Sequence, residues 1–440
     1  MVIENFFNPK SIAVIGASNE KEKVGYALMN NLKNFKGKVF PINIKRKTIL
    51  GKKAYKSVLE IKEKIGLAII AIPAQFVKQV LEECGKKQIN SVIIISAGFS
   101  EIGNVKQEQE LLSIAKKYKI RIMGSNCFGT VNPYINLDTS FSLRTPKKGS
   151  IAFIAQSGAL WISLVEYSMN KFGFSGYASL GNMADIDFAD CIDYFNKDKN
   201  TKVILCYIEA LKDGRKFLNS CKKSKKPIVV VKVGRSEAGS RAALSHTGAL
   251  AGSYEIYKAA FKQGNVIISD SLTEALDKAQ FLAEEHILGD KVIIVTNGGG
   301  SGVMAADLCG IKNLNVIKLP KPLLKELNKI LPYDWSHNNP IDIVGSSSDK
   351  EYKNVFLKLE KYKKYFDFAL VILNQQKMID TRLVAKEIIN FRKRSKKGVV
   401  AILIGGKETE KASELLHKSL IPNFFDIDRA VNTLKGLKRT

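Results

Sequence analysis

The chain has 440 residues, of which 45% are hydrophobic and 25% are charged, and its formal net charge is +27. This length exceeds one ordinary hydrophobic core and predicts two or three domains of a soluble globular protein. No apolar run approaches the roughly 20 residues that cross a bilayer, and the N-terminus lacks the basic and then apolar pattern of a signal peptide. We therefore expect a cytoplasmic protein without a membrane partner.

The excess of basic residues is spread along the chain in short clusters. Most of these clusters fall where predicted helices end, a position that favours cations, and they include 45–47, 222–226, 361–364 and 392–397. Charge alone is a weak indication of nucleic-acid binding, and no zinc finger or aromatic RNA-binding signature accompanies it. We expect a solvated basic surface, which would also attract a phosphate-rich cofactor, and no specific nucleic-acid partner.

The six cysteines are scattered and include no Cys-x-x-Cys pair. Most of them lie within apolar runs or beside helical patterns. The sequence therefore favours buried thiols in a reducing compartment over a disulfide framework or a zinc site. We predict no metal ligands in this chain.

Short β-branched apolar runs alternate with amphipathic stretches, the pattern of parallel sheets covered by helices. The first block, 1–145, predicts five strands with helical patterns between them, such as 25–35 and 76–87. The strands are predicted over 11–15, 38–42, 67–72, 91–96 and 121–123. Five parallel strands with crossover helices indicate a Rossmann-like domain.

Two further α/β blocks follow a polar boundary at 145–149. The second block, 146–287, predicts strands over 151–155, 177–180, 203–208 and 228–232. The third block, 288–440, predicts strands over 291–296, 368–373 and 399–404. Both blocks indicate open, flavodoxin-like sheets, in which ligands bind at the carboxyl ends of the strands.

Small and polar residues follow the strands of the first block. Gly16, Ala17 and Ser18 follow the first strand and Gly25 opens the next helix, so the backbone could approach a phosphate there. A generic tight turn explains this loop equally well. The other strand ends would converge on the same edge of a parallel sheet and suit a nucleotide-like ligand; they carry Asn43, Ile72, Pro73, Ser96, Ala97, Gly98, Asn126 and Cys127.

Two residues at this edge have a simple alternative interpretation. Lys45 could meet a ribose phosphate, or it could be an ordinary exposed lysine. Cys127 could be a nucleophile, but a small buried thiol is the better interpretation.

Ser157, Gly158 and Ala159 join the first strand of the second block to a helix. A serine followed by free amides at the start of a helix can bind an anion. An ordinary serine cap is the alternative, and the motif alone favours the cap.

His246 lies in a stretch of small residues, 239–253, between a predicted strand and a predicted helix. Imidazole is a competent nucleophile near neutral pH, and its phosphoramidate is a high-energy carrier. Glu209, after the strand over 203–208, is the best-placed acid to fix the imidazole tautomer. A lone histidine is nevertheless more often structural, and a structural or exposed position is what we expect for His286, His337 and His417.

Together these motifs resemble the α part of ADP-forming acetate–CoA ligase, a family of NDP-forming acyl-CoA synthetases in the succinyl-CoA synthetase superfamily. The most specific match is the segment 245–252, Ser-His-Thr-Gly-Ala-Leu-Ala-Gly, which is preceded by 156–159 and 207–209. The segment 7–18 resembles the CoA-binding domain of that family. The resemblance extends over nearly the whole chain.

The resemblance implies a mechanism. Phosphate would attack an acyl-CoA thioester to give an acyl phosphate, and His246 would then take the phosphoryl group while Glu209 orients the imidazole. The phosphate would be held by Ser157, Gly158, Ala159 and Gly248. Coenzyme A would be bound by Gly16, Ala17, Ser18, Gly25, Asn43, Lys45, Ile72, Pro73, Ser96, Ala97, Gly98, Asn126 and Cys127.

The resemblance also implies a partner, because no segment of this chain resembles the ATP-grasp domain of fused relatives. ADP and ATP with Mg²⁺ would bind mainly on a separate ATP-grasp β subunit, in an α2β2 assembly. The substrate would be a small carboxylic acid or its acyl-CoA.

The chain departs from the family at two turns, 124–127 and 300–302, where serine replaces the usual proline. Neither change removes a chemical group. The main alternative is a non-catalytic CoA-binding regulator or scaffold, against which the intact His246, Glu209 and Ser157 argue. A protein acyltransferase would need a further domain, and the three blocks leave no residues for one.

Overall fold

A computed structural model describes residues 2–169, 171–239, 241, 253–284, 289–345 and 348–434. The chain forms two compact units, Met1–Ala275 and Leu276–Thr440. Within the described ranges, two large sheets belong to the first unit and one to the second. Among the described helices, none combines the length and apolarity needed to cross a bilayer.

The first sheet is built from the N-terminal part of the first unit. Its elements, in chain order, are α1 (Glu4–Phe7), β1 (Ser11–Ile15), α2 (Val24–Asn31), β2 (Lys38–Ile42), β3 (Thr48–Ile49), β4 (Lys52–Lys53), β5 (Leu67–Ile70), α3 (Ala74–Lys86), β6 (Ser91–Ile94), α4 (Val105–Tyr118) and β7 (Arg121–Gly124). Five of the strands pair in parallel in the order β2-β1-β5-β6-β7. The other two, β3 and β4, form a separate antiparallel pair.

Both faces of this sheet are buried, because successive strand residues point to opposite sides. Ala13 and Ile15 join a core that includes α3 and α4. Ile12 and Val14 face the other way, into a core that continues to the second sheet. The two sheets of the first unit therefore share one hydrophobic core.

The second sheet occupies the rest of the first unit. Its elements are β8 (Thr130–Asn132), β9 (Leu137–Asp138), β10 (Lys148–Ala155), α5 (Ala159–Ser168), β11 (Phe174–Ser179), α6 (Phe188–Lys197), β12 (Val203–Ile208), α7 (Gly214–Lys223), β13 (Ile228–Lys232), α8 (Tyr254–Gln263) and β14 (Ile267–Ser269). The strand order is β14-β13-β12-β10-β11-β8-β9, and β8 and β9 are antiparallel to their neighbours.

The strands β8 and β9 were not predicted, and they come from the segment assigned to the first block. They have three and two residues, which is too short for an alternating pattern to be recognised. Because β8 pairs with β11, the second sheet includes residues that come before residue 146.

The third sheet lies in the second unit with its helices, except that the first of these helices begins before the unit boundary at Ala275. Its elements are α9 (Leu272–Glu284), β15 (Lys291–Thr296), α10 (Gly299–Ile311), β16 (Asn315–Val316), α11 (Lys321–Leu327), β17 (Ile341–Asp342), α12 (Asp349–Lys361), β18 (Phe368–Asn374), α13 (Thr381–Ser395), β19 (Gly398–Ile404), α14 (Lys407–Lys418), β20 (Asn423–Phe424) and α15 (Ile427–Leu434). The order is β16-β15-β18-β19-β20, with β17 also paired to β15.

The three sheets share one connectivity. When the five parallel strands of each main path are numbered along the chain, every sheet has the order 2-1-3-4-5, the flavodoxin-like arrangement of a doubly wound sheet. In such sheets the loops after strands 1 and 3 diverge to opposite faces and leave a crevice between them. The fold therefore places candidate sites after β1 and β5, after β10 and β12, and after β15 and β18.

Five strands have the predicted bounds, namely β1, β2, β12, β13 and β15. The strands predicted over 67–72 and 91–96 end two residues earlier. The reason is that the Ser96 hydroxyl donates to the Ile72 carbonyl at 2.5 Å and accepts from its N–H at 3.2 Å, so a side chain replaces the ladder there. The predicted helix over 25–35 is α2 followed by the 3₁₀ turn Leu32–Asn34.

Candidate active site

A cavity of about 990 Å³ opens at the carboxyl edge of the first sheet. Its lining comes from the loops after all five parallel strands and from the start of α5 in the second sheet. Of the thirteen CoA candidates, the structure brings together twelve in this lining: Gly16, Ala17, Ser18, Gly25, Asn43, Lys45, Ile72, Pro73, Ser96, Ala97, Asn126 and Cys127. Gly98 is not in the lining, and its N–H donates to the Glu101 carboxylate.

Two glycines bring backbone segments into direct contact beside the cavity. Gly16 has a φ of +90°, and a Cβ atom on it would lie 2.2 Å from the Ala71 carbonyl oxygen. A Cβ on Gly25 would lie 1.9 Å from the Gly16 carbonyl oxygen. Only glycine lets α2 begin against the loop that follows β1, which keeps main-chain groups at the cavity wall.

Asn43 organises the loop after β2. Its amide nitrogen donates to the Ala17 carbonyl at 2.8 Å, and its Oδ1 accepts from the N–H groups of Lys45 and Arg46 at 2.8 and 2.9 Å. The side chain thus joins the loops after β1 and β2. Lys45 is exposed at the rim, where its ammonium can meet an anionic ligand.

Cys127 is a buried thiol, as are the other five cysteines. Its Sγ donates to the Ile94 carbonyl at 3.3 Å. Burial raises the pKa of Cys127 to about 12, so the thiolate that a nucleophile needs is not available near neutral pH. The interpretation as a small buried thiol is the one that the structure supports.

The far end of the cavity is apolar and reaches the second sheet. Phe128 and Phe141 line it with ring centroids 3.9 Å apart, together with Ile162, Gly158 and Ala159. Helix α5 begins at Ala159 with Gly158 as its cap residue and without a side-chain cap bond. Gly158 and Ala159, at the start of this helix, both line the end of the cavity.

Glu209 follows β12 directly and is only 6% exposed. The Oε1 atom of Gln156 accepts from the N–H groups of Glu209 and Ala210, at 2.7 and 3.0 Å. Gln156 itself directly precedes Ser157, after β10. Glu209 and the start of α5 therefore lie on the two sides of the crevice of the second sheet.

His246 and Gly248 lie outside the described residues, as does His286. His337 is exposed and bonded to Asn328 and to the Tyr333 carbonyl. His417 is bonded to Gln280 and Asn423. Neither His337 nor His417 lines the cavity at the edge of the first sheet.

Comparison with known families divides the chain into three matches. Residues 10–133 match a CoA binding domain, residues 148–282 a succinyl-CoA ligase like flavodoxin domain, and residues 292–438 a ligase-CoA domain. The α subunit of acetate–CoA ligase [ADP-forming] II from Pyrococcus furiosus is 42% identical over 96% of this chain and 94% of that protein. The chain belongs to the ADP-forming acetate–CoA ligase family.

Further members of the ADP-forming acetate–CoA ligase family differ in length. The Archaeoglobus fulgidus acetate–CoA ligase [ADP-forming] I is 41% identical over 99% of this chain, which spans 63% of that protein. A solved structure of acetyl-coenzyme A synthetase 1 from Ca. Korarchaeum cryptofilum, in complex with phosphate and ADP, superposes with a TM-score of 0.94 at 37% identity, covering 99% of this chain and 96% of that chain. The predicted family, fold class and ligase class are thereby confirmed.

Lys232 lies beside Glu209, and the sequence assigned it no role. It closes the apolar run of β13, and its Nζ donates to the Glu209 carbonyl at 2.8 Å. The sequence did contain a signal for Lys232, because it is a charged residue at the end of an otherwise apolar strand. Its partner is not local in sequence, so the signal could not say what the lysine does.

Proposed function

We propose that the chain is the CoA-binding, phosphohistidine-carrying subunit of an NDP-forming acyl-CoA synthetase. The enzyme would interconvert acyl-CoA, ADP and phosphate with a carboxylic acid, CoA and ATP. The observation that carries the proposal is the continuous cavity that extends from the Gly16 loop to the start of α5. A long nucleotide-like ligand bound along it would have one end at the glycine-bordered loop and the other at a helix start.

The cavity suits coenzyme A in size and chemistry. Its volume of about 990 Å³ lies at the upper end of the roughly 300–1,000 Å³ that small-molecule sites occupy. The Gly16 loop, Lys23 and Lys45 line the part formed by the first sheet. We place the phosphates of CoA there and the acyl thioester at the end formed by Phe128, Phe141 and α5.

The first chemical step would take place at the start of α5. Phosphate held by Ser157 and the amides of Gly158 and Ala159 attacks the thioester carbonyl carbon, the carbon–sulfur bond breaks, and CoA leaves as the thiol. The free N–H groups and the dipole of a helix start stabilise an anion at this position. The product is an acyl phosphate in the same place.

The second step would move the phosphoryl group to the protein. A ring nitrogen of His246 attacks phosphorus, the bond from phosphorus to the acyl oxygen breaks, and the carboxylate leaves. Glu209 would orient the imidazole and stabilise its positive charge, and the Gly248 amide would help to hold the phosphoryl oxygens. The phosphohistidine then passes its phosphoryl group to ADP.

The nucleotide step would need a partner. Relatives of this chain are named α subunits, including two from Pyrococcus furiosus. We propose that ADP and Mg²⁺ bind mainly on an ATP-grasp β subunit in an α2β2 assembly in the cytoplasm. Relatives are named for acetate and for 4-hydroxybutyrate, and we propose a small carboxylic acid as the substrate here.

The deciding experiment is to incubate the chain with acetyl-CoA and radiolabelled phosphate, alone and with a candidate β subunit. We expect label on the protein that is stable to base and labile to acid. His246→Ala should abolish the label and leave CoA binding within about twofold. His337→Ala is the matched control, since His337 is an exposed histidine outside this site, and it should label normally.

Other results would change the conclusion. Label only with a different acyl-CoA would redefine the acid. Absence of label with every thioester tested, with the partner present, would contradict the proposal and favour a non-catalytic CoA-binding protein.

A further inference from the structure

The main chain at Glu209 is held by side chains from both neighbouring strands. In the second sheet β12 lies between β10 and β13, and Glu209 is the first residue after the end of β12. From the β10 side, the Gln156 Oε1 accepts from the Glu209 N–H at 2.7 Å. From the β13 side, the Lys232 Nζ donates to the Glu209 carbonyl at 2.8 Å. Two side chains thus continue the sheet for one residue beyond its ladder.

Lys232 is an unusual residue for this position, because its side chain is only 1% exposed. Its Nζ also donates to the Val233 carbonyl and lies 4.5 Å from the centroid of the Tyr257 ring on α8. Burying an ammonium group costs free energy unless hydrogen bonds and opposite charge offset that cost. An apolar side chain of the same length would fill the strand end without this cost.

The negative charge of Glu209 offsets part of the cost of burying the Lys232 ammonium group. Burial lowers the pKa of Lys232 to about 8, and the negative charge of Glu209 opposes this shift. Within the described ranges, the charged and aromatic side chains beside the amine are Glu209, which follows β12, and Tyr257 on α8. Tyr257 in turn accepts from the Leu211 N–H at 3.3 Å, so it contacts the same loop as Glu209.

We infer that Lys232 is a positioning residue for Glu209, because its ammonium group holds the main-chain carbonyl of Glu209 in place. The inference rests on the role proposed for Glu209. Gln156 fixes the N–H of the same residue through a neutral amide, whereas Lys232 holds the carbonyl with a charged group. Lys232 acts on the phosphoryl transfer only through Glu209.

The test compares the rate of phosphohistidine formation in Lys232→Met with that of the wild-type chain. A misplaced catalytic group can slow a reaction about 10- to 100-fold, and we expect a loss in this range while the affinity for CoA stays within about twofold. The matched control is Lys226→Met. The Lys226 Nζ also donates to two main-chain carbonyls, those of Phe195 and Asp198, but at the other end of β13. It should label at the wild-type rate.

The pH profile separates positioning from packing. The wild-type rate should fall as the pH rises above about 8, since the ammonium group then loses its proton. Lys232→Met should lack this alkaline decline. Lys232→Arg keeps its positive charge at every pH in this range, so it should label without the alkaline decline. If circular dichroism shows that Lys232→Met is not folded, Lys232→Arg takes its place in the test.

The outcomes are distinguishable. If the wild-type chain is labelled and Lys232→Met has the same rate and the same pH profile, this inference is overturned and the proposed function is left intact. A uniform loss that keeps the alkaline decline indicates a packing role and also overturns it. Absence of label in the wild-type chain overturns the proposed function, and this inference with it.

Discussion

The carboxyl edges of the first and second sheets have the same strand order but are built in different ways. At the first edge, glycine removes side chains so that backbone segments touch, as at Gly16 and Gly25. At the second edge, long buried side chains from Gln156 and Lys232 hold one residue in place. A ligand with many atoms needs space and main-chain donors, whereas a single reacting carboxylate needs a fixed position.

Under the proposed function, the same fold would support two tasks through different local chemistry. Loss of space should weaken binding at the first edge without changing the chemistry at the second. Loss of a buried side chain should do the reverse. Three substitutions test this division, and a fourth tests β9, the edge strand of the second sheet.

Gly25→Ala should have the largest effect, on the first edge. Its Cβ would lie 1.9 Å from the Gly16 carbonyl oxygen, so α2 must move away from the loop after β1. We expect the affinity for CoA, measured by calorimetry, to fall at least about 100-fold, or about 2.7 kcal/mol. Gly214→Ala is the control, because a Cβ on Gly214 has no neighbour within 4 Å. Unchanged affinity in Gly25→Ala would show that the edge tolerates a side chain.

Asp138→Asn, in the segment that follows the first sheet, should change how the free energy of unfolding depends on pH. Asp138 accepts from Ser140 and Thr145, and burial raises its pKa to about 6 despite these bonds. A raised pKa adds stability that is complete at pH values below the unfolded pKa, near 4, and is lost as the pH rises through 6.

The measurement is urea unfolding of wild-type and Asp138→Asn chains between pH 4 and 7. As the pH rises over this range, the free energy of unfolding of the wild-type chain should fall by about 1–3 kcal/mol relative to that of Asp138→Asn. Parallel pH curves for the two chains would contradict the assignment.

Gln156→Met should have a smaller effect, on the second edge. The change leaves two buried N–H groups, those of Glu209 and Ala210, without their acceptor. We expect phosphohistidine formation to slow about tenfold, with CoA affinity nearly unchanged. Gln375→Met is the control, since the Gln375 Oε1 accepts from the Gly406 N–H in the second unit. A fall in CoA affinity instead of rate would break the proposed division between the edges.

Lys45→Ala should have the smallest effect. Lys45 is exposed at the rim of the cavity, and an exposed charge contributes little in water. We expect CoA affinity to fall about threefold at low ionic strength, and the difference to vanish near 1 M salt, where screening extends to about 3 Å. Lys36→Ala, another exposed lysine outside the cavity lining, should show no change. A loss that persists in high salt would indicate a direct, partly buried contact.

Much of the first edge could be predicted because its signals are local. A glycine after a strand and small residues after the next strands identify one edge as soon as the sheet is taken as parallel. Twelve of the thirteen predicted residues lie in one cavity lining for this reason. Gly98 differs because its N–H is bonded to Glu101, a contact within its own turn that the strand pattern does not reveal.

The strands β8 and β9 show the limit of periodicity. Three- and two-residue strands contain too little alternation to predict, and they belong to a sheet formed mostly by later residues. The residues alone left His246 open between a nucleophile oriented by Glu209 and a structural histidine, and the resemblance to a known family favoured the nucleophile.

The sequence by itself determined three blocks of parallel strands and the family, and it predicted that ligands bind at the carboxyl edge of each sheet. The tertiary structure alone decided what surrounds Glu209. Gln156 and Lys232 lie 53 and 23 residues from Glu209 along the chain, and they meet it because the strand order places β10 and β13 on either side of β12. Apolar periodicity states that a strand is buried but not which strands flank it, so these contacts become visible only when the sheet is assembled.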